Sequence, residues 1–159
     1  MIILGIDPGT ATTGWGVVEE IKNHFDCIDV GTITTKAGLP LEKRLLTIFD
    51  DVTLLCKKFA PNAISIEQLF FNTNAKTALL VGQARGVVLL AAEKKKTPIF
   101  SYTPLQVKMA ITGYGRADKK QMQEMVKKLL NLAKIPRPDD AADALAIALT
   151  HCFSFKSPK

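Results

Sequence analysis

Residues 3–16 read ILGIDPGTATTGWG. A short apolar run ends in Asp7, and Pro8-Gly9-Thr10 turns the chain at once. A carboxylate at the tip of a buried strand is costly unless it is paired, hydrogen-bonded or bound to a metal. Asp is also a common turn-former before Pro-Gly, so Asp7 alone has an ordinary structural explanation. The rest of the chain has to decide between the two.

Working outward, Ile2–Asp7 reads as a central strand, with further strands at Gly14–Glu20 and Cys27–Thr34 around a polar turn at Lys22-Asn23-His24. Joined this tightly, the three suggest an antiparallel meander. Residues 39–59 place Leu41, Leu45, Ile48, Val52 and Leu55 at helical spacing. NAISIEQ (62–68) reads as a short strand, Asn74 to Glu93 as a long helix, and TPIFSY (97–102) as a strand. Helical patterns follow at Pro104–Ile111, at Lys119–Leu132, and from Asp139 through Cys152. This order predicts one α/β domain over residues 1–159: a mixed five-stranded sheet with helices on both faces, as in the ribonuclease H-like fold.

The totals agree. A chain of 159 residues suits one core, and 47% hydrophobic residues exclude a disordered chain. The net charge of +6 favours a polyanionic partner such as nucleic acid. Cys27, Cys56 and Cys152 are odd in number and widely spaced, which argues against a disulfide framework or zinc site; each reads as a small buried apolar residue. No run approaches the length of a membrane-spanning helix, and the N-terminus lacks a signal-peptide layout. The expected address is the cytoplasm.

Three more carboxylates stand in unexpected places. Glu67 ends the alternating strand AISIE, with Ala63, Ser65 and Glu67 on one face and Ile64 and Ile66 on the other. In RPDDAADALAIALTHC (137–152), Asp139, Asp140 and Asp143 share one helical face. Asp139 after Pro138 reads as the N-cap, and Asp140 suits the first turn. Asp143 lies among Ala and Leu, where a carboxylate needs a cation. Asp7, Glu67, Asp140 and Asp143 offer oxygen ligands only, which suits Mg²⁺. Two such ions about 4 Å apart activate a water and stabilise the leaving oxygen in phosphodiester cleavage.

At these residues the chain resembles the RuvC family of bacterial Holliday-junction resolvases. The resemblance rests on ILGIDPGT and TGWGV, IEQLFF followed by Asn72, VGQARG where the family usually has LGQARG, and DAADALAIA, and it spans nearly the whole chain. It implies a homodimeric, Mg²⁺-dependent endodeoxyribonuclease with two ions per site, for which Mn²⁺ can substitute, held by Asp7, Glu67, Asp140 and Asp143. It implies paired, symmetric nicks in strands of like polarity at a four-way DNA junction, and docking to the RuvA–RuvB branch-migration complex. By the same resemblance Lys108 and Lys119 contact phosphate and Phe70 stacks on an unpaired base. Arg116 and Asn72 are further candidates for DNA contact.

Other features have rival readings. In AKTALLVGQARGVVLLAAEKKK (75–96), apolar residues cover more than one helix face, so one face can pack on the sheet and another on a partner. Gly82 and Gly86, four apart, would allow close approach. TGYGRADKK (112–120) is a Gly-rich loop before a helix, whose amides and dipole favour phosphate. Phe70 and Phe71 are otherwise core residues, and most lysines are otherwise merely solvated. His24 reads as a surface residue, His151 as a helix-end residue, and Trp15 as core. GIDPGT also resembles the first phosphate turn of the actin and sugar-kinase superfamily, which needs a second such domain. The YqgF family shares the fold and the opening but lacks the IEQ and GQARG motifs at this spacing. A non-catalytic junction-binding module would have lost a carboxylate, and all four are present.

Overall fold

The computed structural model describes residues 1–68 and 75–155. Phe70, Phe71, Asn72 and Asn74 lie outside the described residues. The strands are β1 (Ile2–Asp7), β2 (Thr12–Ile21), β3 (His24–Thr34), β4 (Ala63–Glu67) and β5 (Ile99–Tyr102). The helices are α1 (Leu41–Phe59), α2 (Ala75–Lys94), α3 (Pro104–Thr112), α4 (Lys119–Leu129) and α5 (Asp139–Ser154). The sheet order is β3-β2-β1-β4-β5, antiparallel from β1 to β3 and parallel from β1 through β4 to β5. This is the ribonuclease H-like α/β fold expected from the order of elements.

The β2–β3 turn is tighter than the polar signal suggested. Lys22 and Asn23 both take positive φ, 51° and 65°, which matches the twist of a two-residue hairpin, and His24 already belongs to β3. Helix α4 stops at Leu129, short of the expected Leu132.

The sheet separates two cores. Leu4, Ile6, Ile64 and Ile66 face α1 and α2, while Ile3 and Ala63 face α3, α4 and α5. Alternation therefore sends Asp7 and Glu67 to the α5 side. On the opposite side, α2 buries Ala84, Val88, Ala91 and Ala92 and leaves Leu79 and Leu90 about 60% exposed. By length and composition α2 would be able to cross a membrane, which corrects the expectation that no run approaches that length. Its outer apolar face lies on the surface of this fold.

Two further readings change, at Cys27 and Trp15. Cys56 and Cys152 are buried, but Cys27 is only half-buried. Trp15 is half-buried, tilted against Phe59 with ring centroids 6.2 Å apart. His24 is exposed as expected, beside Asp26, and His151 stands in the last turn of α5 as expected, fully enclosed there: Nδ1 lies 2.7 Å from the Tyr102 hydroxyl, with Phe100 and Phe155 packed on its ring. Burial lowers its pKa, so the imidazole is held neutral.

Candidate active site

Asp7 and Glu67 end neighbouring parallel strands whose register pairs Ile6 with Ile66, so the two acids stand side by side at the carboxyl edge. The turn after Asp7 is stitched down by buried Thr13. Its hydroxyl donates to the Gly9 carbonyl at 2.7 Å and accepts from the Gly9 amide at 3.3 Å. Beyond it, the Thr35 hydroxyl donates to the Thr10 carbonyl, and Arg44 Nε donates to the same hydroxyl at 2.8 Å.

Helix α5 reaches these acids because its bed is glycine. Gly5 pairs with Gly16 across β1 and β2, and Gly14 pairs with Asp7. A Cβ at Gly5 would collide with the Ala144 carbonyl and the Ala148 amide, and one at Gly14 with the Asp140 carbonyl. The small residues on both sides let helix and sheet touch through their main chains, which sets the first turns of α5 over the tip of β1.

Asp7, Glu67 and Asp143 line one cleft of about 240 Å³, with Lys108 and Lys119 on its wall and Val107 and Ile147 among its apolar lining. Asp140 does not line the cleft, but its charge raises the pKa of both Asp7 and Asp143. Burial, followed by the charges of Glu67, Asp143 and Asp140, pushes Asp7 up to about 7, with Lys119 opposing. Burial and Asp143 raise Glu67 against Lys108. Burial also raises Asp143, against the charge and hydrogen bond of Lys119. Like charges gathered in a dry place are each less willing to ionise, and only a cation relieves all of them together.

The donor set fits a hard divalent cation: oxygen only, with no thiol or imidazole lining the cleft. Among the described residues, no group of three or more His, Cys, Asp or Glu side chains is arranged closely enough to hold a metal ion. Asp143 is instead turned toward the Lys119 ammonium, 3.2 Å away.

Two sequence readings fail here. Asp139 is not the N-cap of α5; Pro138 holds that position, and Asp139 instead meets Lys119, Gln123 and Arg137. The start of α4 is no open phosphate seat either. Asp118 caps it, accepting from the Gln121 amide at 2.8 Å while Gln121 answers to the Asp118 amide, so a negative charge already occupies that helix end. Arg116 is exposed in the preceding loop and does not line the cleft. Sequence reasoning also passed over Arg85, which sits inside the VGQARG motif. Its guanidinium donates to Ser101 at 2.8 Å and to the Glu67 carbonyl at 3.4 Å.

Acids at the ends of the two central parallel strands, overlaid by the acidic first turns of a closing helix on a 3-2-1-4-5 sheet, define a class: nucleases of the ribonuclease H-like fold. Comparison with known proteins narrows this. The description "Crossover junction endodeoxyribonuclease RuvC" matches residues 3–151, and the chain belongs to that family. It is 57% identical over 155 residues to the protein of that name from Rubrobacter xylanophilus, covering 98% of this chain and 87% of the relative. The namesake from Ruminiclostridium cellulolyticum is 57% identical over 151 residues, covering 95% and 91%. Thermus thermophilus RuvC in complex with Holliday junction substrate superposes with a TM-score of 0.92 at 38% identity, covering 97% of this chain and 94% of that one.

Proposed function

We propose that this chain, as one domain over residues 1–159, is an Mg²⁺-dependent endodeoxyribonuclease that resolves four-way DNA junctions by paired, symmetric nicks in strands of like polarity. The observation that carries the reading is the single cleft where Asp7, Glu67 and Asp143 meet beneath Lys108 and Lys119, in a chain of this family. Asp7, Glu67, Asp140 and Asp143 are the residues that would hold two ions per site, Mg²⁺ or Mn²⁺. The ions, when bound, supply an activated water and stabilise the leaving oxygen. Partial burial of Asp7 and Glu67 raises both carboxyls and so favours a cation that relieves them. Lys108 and Lys119 bind the phosphate flanking the cut, and Arg116 extends that basic rim. Phe70 and Asn72, following Glu67 in sequence, meet the junction bases and backbone.

A matched test uses labelled synthetic four-way junctions and linear duplex, each with Mg²⁺ and with EDTA, over several junction sequences. Paired nicks on the junction alone, and only with the metal, are expected. Nicking of duplex at the same rate, or cutting that survives EDTA, would overturn the assignment.

A junction with two-fold character calls for two sites, and α2 offers the pairing face. Leu79, Gly86 and Leu90 fall on one helical stripe opposite the buried one, and a Cβ at Gly86 would meet nothing within 4 Å. Replacing Leu79 and Leu90 together by Glu is expected to convert a dimer to a monomer in sedimentation. An unchanged mass would move the interface elsewhere. In the same reading the dimer works in the cytoplasm and docks to the RuvA–RuvB complex.

A further inference from the structure

We propose that Asp139 is a positioning residue for Lys119, holding the lysine at the rim of the cleft when a divalent cation takes Asp143. This rests on the reading of Asp7, Glu67, Asp140 and Asp143 as cation ligands.

The Lys119 ammonium bridges two acids, 3.2 Å from Asp143 Oδ2 and 3.3 Å from Asp139 Oδ2. The two acids have different surroundings. Lys119 is the only ion-pair partner of Asp143 among the described residues. Asp139 is anchored at its other oxygen: Gln123 Nε2 donates to Oδ1 at 3.1 Å, and Arg137 donates to the same atom. Gln123 is only 6% exposed and lies one turn along α4 from Lys119. The backbone of Lys119 is itself fixed, because it is the first helical residue after the Asp118 capping box. Asp139 and Lys119 are thus both held in place by the same helix.

A divalent cation and an ammonium compete for the Asp143 carboxylate, since each repels the other at that range. Without Asp139, surrendering Asp143 would leave Lys119 with no partner. With it, the lysine keeps one anchored carboxylate, and its released N–H groups turn to a phosphate. Asp139 therefore eases cation entry and keeps the lysine near the DNA backbone.

The test is a double-mutant cycle read by thermal stabilisation as Mg²⁺ is added, with wild type, Asp139→Asn, Lys119→Met and both together. Melting in EDTA reports any change in the fold separately. Lys119→Met should lower the Mg²⁺ midpoint, and Asp139→Asn should raise it, each by about threefold, the scale of a half-exposed ion pair. In the Lys119→Met background, Asp139→Asn should shift the midpoint by less than about 1.5-fold. Lys119→Arg should restore the dependence on Asp139. Equal shifts in both backgrounds would make Asp139 a simple nearby charge and overturn the proposal. No stabilisation of wild type by Mg²⁺ would overturn the cation-ligand reading, a result distinct from additivity.

Discussion

Asp7→Asn should reduce junction cleavage at saturating Mg²⁺ by about a thousandfold or more while leaving junction affinity within about threefold of wild type. Loss of one ligand from a hydrolytic metal centre removes several kcal/mol of transition-state stabilisation, and each 1.36 kcal/mol is tenfold in rate. In the proposed reading, binding rests on the basic rim, which the substitution leaves in place. The same variant carries a second signature. Asp7 has a folded pKa of about 7 against an ordinary value of 3.8. Between those values the native state holds a proton that the unfolded chain has lost, so stability of the metal-free protein falls as pH rises through that window. Glu67 and Asp143 shift in the same direction. The Asp7 share is at most about 4 kcal/mol, lost by neutral pH. Asp7→Asn should flatten that decline and melt higher than wild type at pH 8 in EDTA. Urea denaturation from pH 4 to 8 measures it, and parallel pH profiles for the two proteins would remove the buried-acid account of Asp7.

Gly5→Ala is expected to destabilise the domain by about 3 kcal/mol or more, at the upper end of overpacking effects. The new methyl group would meet the Ala144 carbonyl and the Ala148 amide, main-chain atoms that cannot swing aside as a side chain does. Gly86→Ala makes the control. It adds the same methyl group to a helical position that is open within one copy, and in the Leu79→Glu, Leu90→Glu background, where the proposed pairing is removed, it should stabilise by about 0.5–1 kcal/mol. Gly14→Ala presses on the Asp140 carbonyl and should displace the acidic first turn of α5, costing cleavage out of proportion to stability. Urea midpoints for the three variants test the arrangement. A Gly5→Ala protein as stable as wild type would mean that α5 does not lie on the sheet as described.

Much of the carboxylate arrangement was legible in the sequence because strand alternation is a local property. AISIE places Glu67 opposite Ile64 and Ile66 in any sheet with one apolar face, and ILGID does the same for Asp7. The Ala-rich run after Asp140 likewise identified a buried helix, and nine of the ten residues of α5 from Ala141 to Thr150 are buried, Asp143 being the exception. What escaped depends on distant partners. Asp139 after Pro138 has every local mark of a cap, yet Lys119 and Gln123, some 20 and 16 positions earlier, claim its side chain. His151 is the helix-end residue it looks like, but its enclosure by Tyr102, 49 positions away, has no local mark. The loop before α4 offered glycines and lysines to a phosphate, but Asp118 already takes the Gln121 amide and puts its own charge at that helix end. Arg85 carried no visible role because its acceptors, Ser101 and the Glu67 carbonyl, belong to strands on either side of α2 in sequence.

The sheet keeps its two cores apart, with the acidic cleft on the α5 side and the outer leucines of α2 on the other. Cutting and pairing are in this respect modular. In the proposed pairing, a change to the outer stripe at Leu79 and Leu90 need not pass through the packing that orders the acids, and a change to the cleft need not disturb that stripe; Arg85 of the same helix, bonded to the Glu67 carbonyl, is the exception. If two copies pair there as proposed, a monomer made by charging that surface would keep its acids and is expected to act as a nickase, opening one strand of a junction and leaving the other intact. In that reading, the coordination of two cuts is a property of assembly rather than of either site.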